Sequence, residues 1–233
     1  IATRPVTWVA EMGSEYPLAL GITTRNMHEV HELLNALARR FKGAFFEKSV
    51  SAQFATVIFA HKYLSKKRFK TSTSIMTRPK EIYEADELDR KIMNGLSNTP
   101  HKSRRELAQK LAIPLSTLEL RIKKLEKAQV ITGYFYAVDS SKIGMQSFKL
   151  VIYGRGIDPE FSQALFKFAE AHPNVVYMME CFGSWDYELN VEVEKPEDVV
   201  AITQEIYEFG GAQINQIKVL SKFRDLKMAM FPN

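Results

Sequence analysis

The chain has 233 residues, 45% of them hydrophobic and 25% charged, an ordinary folded-domain composition that excludes disordered, collagenous and coiled-coil chains. No apolar run approaches the roughly 20 residues of a spanning helix, and Cys181 is the only cysteine, so an intrachain disulfide and a thiolate zinc cluster are excluded and a reducing, cytoplasmic setting is expected. Net charge is +5 but unevenly spread: residues 1–61 carry six Lys/Arg against five Asp/Glu, 62–85 seven against two, 86–140 ten against seven and 141–233 nine against thirteen. A basic middle beside an acidic end suits a polyanion-binding module joined to a domain that stays off the polyanion; a solvated charge run is the plainer alternative. Ile1 opens the chain without a secretory signal pattern, so further sequence upstream is expected.

In chain order, Val6 to Met12 and Leu18 to Thr23 read as strands, Glu29 to Phe41 as a helix carrying Val30, Leu33, Leu34 and Leu37, and Val50 to Phe59 as a strand. Residues 62–85 form a basic linker, in which Lys66-Lys67-Arg68-Phe69-Lys70 is either a phosphate-tracking arm or a flexible tether. Leu88, Ile92, Met93 and Leu96 share a helical face behind Asp86 as N-cap. Ser103-Arg104-Arg105-Glu106 is a capping box opening a short second helix that buries Leu107, Ala108 and Leu111. Pro114 cannot continue that helix, yet Leu118, Ile122 and Leu125 resume the period just after it, which is a helix-turn-helix pattern. Steps of about 100° place Ser116, Leu120, Lys123, Lys124 and Lys127 opposite this apolar stripe, with Thr117 and Arg121 towards its flank. Val130 to Val138 then reads as a strand in the position of a wing.

Beyond Gly144 the order is strand (Phe148 to Tyr153), helix (from the Asp158-Pro159 cap through Phe161, Leu165 and Phe168), strand (Val175 to Phe182), strand (Trp185 to Val193), helix (from Pro196 to Gly210-Gly211) and a last strand (Ile214 to Phe231). That is the ferredoxin-like split βαβ arrangement. Residues 1–61 repeat its last four elements: at 170 positions' separation Gly13-Ser14 falls on Gly183-Ser184 and Val30 on Val200, and after a one-residue indel Val50 falls on Val219 and Phe54 on Phe223. The expected organisation is therefore a partial αβ-sandwich at 1–61, a linker at 62–85, a winged helix-turn-helix at 86–140 and a complete αβ-sandwich (βαββαβ) at 141–233. The partial copy lacks its first strand, which must come from upstream of Ile1 or from another segment.

Glu87-Leu88-Asp89-Arg90-Lys91-Ile92, Arg121-Ile122-Lys123-Lys124-Leu125-Glu126, Val130-Ile131-Thr132-Gly133-Tyr134 and Gly183-Ser184-Trp185-Asp186-Tyr187 resemble the Lrp/AsnC (feast/famine) family of transcriptional regulators, in order from Asp86 to Phe231. The resemblance implies a DNA-binding helix-turn-helix, a hinge strand, and an effector domain that forms homodimers or higher homo-oligomers and in many members binds a free amino acid near the loop matching Gly183, Ser184 and Asp186. It implies a cytoplasmic, nucleoid-associated protein. Family members often start the recognition helix with Ser-Pro; here Pro114 and Leu115 stand there, losing a cap worth about 1 kcal/mol. Glu119 and Leu120 sit where a basic or polar residue would grip DNA. The turn of the N-terminal copy has Tyr16-Pro17 where the other has Asp186, so that copy should lack effector chemistry.

The expected function is sequence-specific binding to double-stranded DNA, modulated by an amino acid held at Asp186; a turn Asp and a φ-positive Gly are the plainer reading of that loop. Two alternatives stand beside it. One is a tetrapyrrole decarboxylase-like enzyme, since haem-pathway decarboxylases resemble the family, although such chemistry wants histidines in the effector domain and only His172 lies beyond residue 140. The other is an interaction module that has lost DNA binding. No catalytic constellation, metal site, cofactor or membrane partner is expected: His28 and His31 lack a third ligand, and Cys181 reads as a buried small hydrophobe. The alternating strands at Phe148–Tyr153 and Trp185–Val193 are expected to place apolar residues on both sheet faces, so a partner should cover the open one.

Overall fold

The computed structural model describes residues 6–13, 15–43, 47–65, 74–76, 82–98, 103–135, 137–155 and 159–229. The basic run at Lys66–Lys70 and the expected cap Asp158 lie outside them. β1 (Val6–Met12) and β2 (Leu18–Ile22) form a hairpin. α1 (Met27–Arg40) is opened by Asn26, whose side chain accepts the Glu29 N–H, and lays Leu33 and Leu37 against Val6 and Val9. β3 (Ser51–Ile58) is followed by a single 3-10 turn at Lys62–Leu64 and by β4 (Ser74–Met76), which pairs with β3. Three helices follow, α2 (Glu87–Asn98), α3 (Arg104–Lys110) and α4 (Leu115–Lys127). The chain ends with β5 (Gln146–Gly154), α5 (Pro159–Ala171), β6 (Val175–Gly183), β7 (Tyr187–Val193), α6 (Asp198–Gly210) and β8 (Ile214–Met228).

All eight strands join one antiparallel sheet in the order β2-β1-β8-β5-β7-β6-β3-β4. The inner four, β8-β5-β7-β6, have the expected ferredoxin-like order, and α5 and α6 cover one face through Phe148, Leu150, Ile152, Leu165, Leu189, Val191 and Ile206. The N-terminal strands divide between the two edges of this unit, β1 on β8 and β3 on β6. Lys62 is not part of a free tether: its ammonium donates to the carbonyls of Ala169 (2.8 Å) and Val175 (2.9 Å) and stands 4.5 Å from the Phe59 ring centroid.

One expectation is overturned here and another is met only in part. The described residues of 130–138 form no strand. The N–H groups of Val130 and Ile131 instead turn back to Leu125 O after Gln129 at φ +55°, and among the described residues no strand lies alongside to pair with the segment. The second face of the sheet carries apolar residues as expected, with Val151 buried beside Ala10, Met12 and Leu220, but it also carries a polar group that was not expected. Ser147, Lys149, Glu188, Asn190 and Glu192 project there and are nonetheless buried, each with a partner: Lys149 pairs with Glu188, Ser147 donates to Asn190 (3.3 Å), and Tyr63 donates to Glu192. A buried charge is tolerated only when so paired. Trp8 of β1 stands 4.9 Å over the Lys149 ammonium and Tyr63 lies on the Glu192 end, so the flanking N-terminal segment supplies the cover.

Two half-buried histidines make stability depend on pH. Burial lowers the His172 pKa below its ordinary 6.5, with Glu205 opposing and Lys62 reinforcing, and its Nδ1 accepts the Asn174 N–H, which requires the unprotonated nitrogen. His61 is lowered likewise by burial, with Glu192 opposing and Lys222 reinforcing. The unfolded chain takes up these protons at higher pH than the folded one, so their neutral-form stability is present above pH 6.5 and lost as pH falls from there towards the folded values. Urea midpoints measured from pH 8 to 5 are expected to fall below pH 6.5, and His61→Gln/His172→Gln is expected to flatten that limb.

Candidate nucleic-acid interface and the effector turn

The helix-turn-helix is built on Ile92, Met93, Leu107, Ala108, Leu118, Ile122 and Leu125, all buried. Ser103 caps α3 by accepting the Glu106 N–H (3.2 Å), and Asp86 does the same for Asp89 at the start of α2 (2.8 Å). The turn between α3 and α4 runs through Ala112 at φ +53°, a conformation that costs a non-glycine residue about 1 kcal/mol. Pro114 caps α4 with no side-chain hydrogen bond, as the missing hydroxyl implies.

α4 presents Ser116, Leu120, Lys123, Lys124 and Lys127 to solvent, with Thr117 half-buried at the flank. Leu120 is 70% exposed, an apolar tip on an otherwise cationic face. Lys124 leans to within 5.3 Å of the Tyr83 ring centroid. Arg121 does not join this face. Its guanidinium is shared between Asp86 and Asp89, and Asp89, only 1% exposed, also accepts from the Tyr83 hydroxyl (2.9 Å). The backbone N–H of Asp89, then Arg121, holds the Asp86 carboxyl below the ordinary range.

Gly183, Ser184 and Asp186 do lie together, in the β6–β7 turn, but each is already engaged. Gly183 has φ +132°, and a Cβ there would come within 2.5 Å of Val50 O. The Ser184 hydroxyl donates to Val50 O (3.1 Å), and Ser51 Oγ accepts the Ser184 (3.0 Å) and Trp185 (3.3 Å) N–H groups. The diversion of the Trp185 N–H explains why β7 begins at Tyr187 rather than at Trp185. Asp186 accepts the Gly154 N–H (2.6 Å). The β1–β2 turn adjoins it: Tyr16 donates to or accepts from Ser49 (3.0 Å), its ring 6.4 Å from that of Trp185.

The polar cluster on the inner sheet face is the part that sequence reasoning missed. Besides Lys149–Glu188, the Trp185 indole donates to Glu188 (2.8 Å), the Trp8 indole to Asp225 (2.7 Å), and Lys222 pairs with Asp225 (3.0 Å). His61 Nε2 comes to 3.5 Å from Glu192. Burial, followed by Tyr177 and Glu188, acts on Lys149 in opposite senses, and the net result raises its pKa. Among the described residues no buried side-chain nitrogen or oxygen lacks a partner. Cys181 lies wholly buried in β6, and burial pushes its thiol up to about 12. The signal that could have exposed the cluster was the recurrence of Lys149, Glu188, Asn190 and Glu192 at every second place in otherwise apolar strands.

The three-helix unit and its exposed cationic helix define a helix-turn-helix DNA-binding domain, and the winged helix-turn-helix DNA-binding family matches residues 86–132. The Bkd operon transcriptional regulator of Pseudomonas aeruginosa is 31% identical over 115 residues, covering 48% of this chain and 73% of that protein. The chain belongs to the Lrp/AsnC family of transcriptional regulators. An AsnC family transcriptional regulator from Agrobacterium tumefaciens shares the fold (TM-score 0.52, 21% identity, 64% of this chain and 97% of that one). The siroheme decarboxylase NirDL, solved with an iron-uroporphyrin III analogue, shares it over 99% of this chain and 67% of its own (TM-score 0.59, 10% identity). No helix of the described residues is long and apolar enough to cross a membrane.

Removing Arg121 leaves the buried Asp89 carboxylate without its cation, which destabilises the start of α2 against α4. Arg121→Ala is expected to lower the melting temperature of the helix-turn-helix, whereas Lys123→Ala is expected to leave it unchanged, as scanning calorimetry would show.

Proposed function

We propose that the chain is a sequence-specific, DNA-binding transcriptional regulator that inserts α4 into the major groove. The observation carrying this reading is the single exposed face of Ser116, Lys123, Lys124 and Lys127 on a helix locked from behind by Leu118, Ile122 and Leu125 and at its flank by Arg121. Lysines on such a face neutralise phosphates and fix the register, while the serine and Thr117 are short enough to reach base edges. Leu120 offers an apolar contact to a thymine methyl. Arg121 serves the domain, not the DNA. In the same reading the protein works in the cytoplasm as a homo-oligomer. Every phosphate left without its lysine reduces the slope of log K against log salt by about 0.9. Lys123→Ala/Lys124→Ala is expected to flatten the salt dependence of binding to any duplex by roughly 1.8 in fluorescence anisotropy; an unchanged slope would remove α4 from the interface.

A free α-amino acid is the effector class that suits the β6–β7 turn, with its ammonium on Asp186 and its carboxylate on turn N–H groups. Those groups already bind Gly154 and Ser51, so the ligand must displace hydrogen bonds between the turn and residues 50–51. A screen of the twenty amino acids by thermal shift is expected to find one that stabilises the chain by about 2.7 kcal/mol at 100 times its dissociation constant, with the shift lost in Asp186→Ala. A full shift in that variant would place the ligand elsewhere.

One observation favours a second reading, a tetrapyrrole decarboxylase-like enzyme. Sequence order leaves His61 outside the effector domain, yet the fold carries it to Glu192 on the inner sheet face, beside Tyr63 and near Lys222. Titrating iron-uroporphyrin III into the purified chain is then expected to shift the tetrapyrrole absorption band, and His61→Ala to weaken the shift. A flat titration up to about 1 mM, the top of the usual KM range of enzymes, would eliminate this reading.

A further inference from the structure

Lys123, Lys124 and Lys127 share the exposed face of α4, and only Lys124 is held there. The side chains of Lys123 and Lys127 enter no hydrogen bond, ion pair or ring contact among the described residues. Lys124 Nζ stands 5.3 Å from the Tyr83 ring centroid, inside the roughly 6 Å over which an aromatic face attracts a cation. Steps of about 100° put Lys124 at the edge of the exposed face nearest Arg121, which lies three residues earlier on the same helix.

The Tyr83 ring is itself fixed. Its hydroxyl donates to Asp89 (2.9 Å), the buried carboxylate that also takes Arg121, and its body packs on the apolar core shared by α2 and α4. The chemistry of the hold matters, because Asp86 and Asp89 gather on the same flank through Arg121. A carboxylate that took Lys124 as well would neutralise the charge that a phosphate needs. A ring face attracts the ammonium and leaves it charged and open to solvent.

We infer that Tyr83 is a positioning residue for DNA binding: its ring presets the Lys124 side chain for a phosphate, while its hydroxyl serves the stability of the clamp. This rests on the reading of α4 as the major-groove helix. A lysine held beforehand loses less freedom on meeting a phosphate than one ordered only at that moment, so the ring contributes affinity without touching DNA. Tyr83 lies in the segment that leads from β4 into α2. The entry to the helix-turn-helix thereby reaches a DNA contact on its last helix, and a shift of that segment changes the hold on DNA through Lys124.

The test is a double-mutant cycle read by fluorescence anisotropy on a mixed-sequence DNA duplex, at a temperature where circular dichroism shows every variant folded. Tyr83→Leu is expected to weaken binding by about threefold or more in the native background and by less than about twofold where Lys124→Ala is already present. In a Lys123→Ala background the Tyr83→Leu loss is expected to stay whole. Tyr83→Phe keeps the ring and drops the hydroxyl; it is expected to recover most of the affinity that Tyr83→Leu loses while its melting temperature stays below that of the native chain, a separation that a merely structural role does not produce. Tyr83→Met replaces Tyr83→Leu if the latter does not fold. Equal losses with and without Lys124, a gain in affinity, or Tyr83→Phe as weak as Tyr83→Leu overturns the inference. The salt slope of Lys123→Ala/Lys124→Ala separates this inference from the reading beneath it: an unchanged slope removes α4 from the interface and both fall, whereas a flattened slope with no loss from Tyr83→Leu overturns the role of Tyr83 alone.

Discussion

The backbone ladders at β1–β8 and β3–β6 are the constraint on which the rest of the structure rests. They turn two sequence segments separated by more than a hundred residues into one sheet, and the buried charges and the engaged β6–β7 turn both depend on them. The inner face tolerates Lys149, Glu188 and Glu192 because Trp8 arrives on one ladder and Tyr63 follows the other. The β6–β7 turn is held by Val50 and Ser51 because β3 begins there. A four-stranded unit alone would leave these charges in water, where the pairs would contribute little. Enclosed, they must be matched group by group, and they are.

The helix-turn-helix follows a different logic, in which a small apolar core carries the helices and one ionic clamp sets their register. Tyr83, Asp86 and Asp89 gather on Arg121, so the segment entering α2 is fastened to α4. Because the strained Ala112 and the bare Pro114 cap both weaken the α3–α4 corner, the clamp offsets what the turn itself lacks. Lys123 and Lys127, outside the clamp, can respond to a ligand without disturbing the core.

Periodicity makes the elements legible: β1, β5, α4 and the ferredoxin-like order of β8-β5-β7-β6 agree with the apolar spacing to within a residue or two. The segment at 130–138 misleads because its alternation satisfies a strand pattern without regard to whether any neighbour exists to accept its hydrogen bonds. The polar group on the inner face misleads for the related reason that Phe148 and Leu189 are legible as core while the adjacent Lys149 and Glu188 depend on cover from Trp8, which no local pattern brings near. Of the DNA-facing candidates, Ser116, Lys123, Lys124 and Lys127 fall where 100° steps put them; Arg121 lies at the flank, and only the fold shows that Asp86 and Asp89 already hold it.

Cys181 offers a practical use of this enclosure. Its sulfur is wholly buried and its thiol is pushed up to about 12, so at neutral pH it is neither accessible nor a thiolate. It is also the sole cysteine of the 233 residues. The native chain therefore serves as its own cysteine-free background: a thiol introduced at Ser116 or Lys127 can carry a single spectroscopic label with no prior substitution, and the rate at which Cys181 itself becomes reactive is a clock for opening of the sheet.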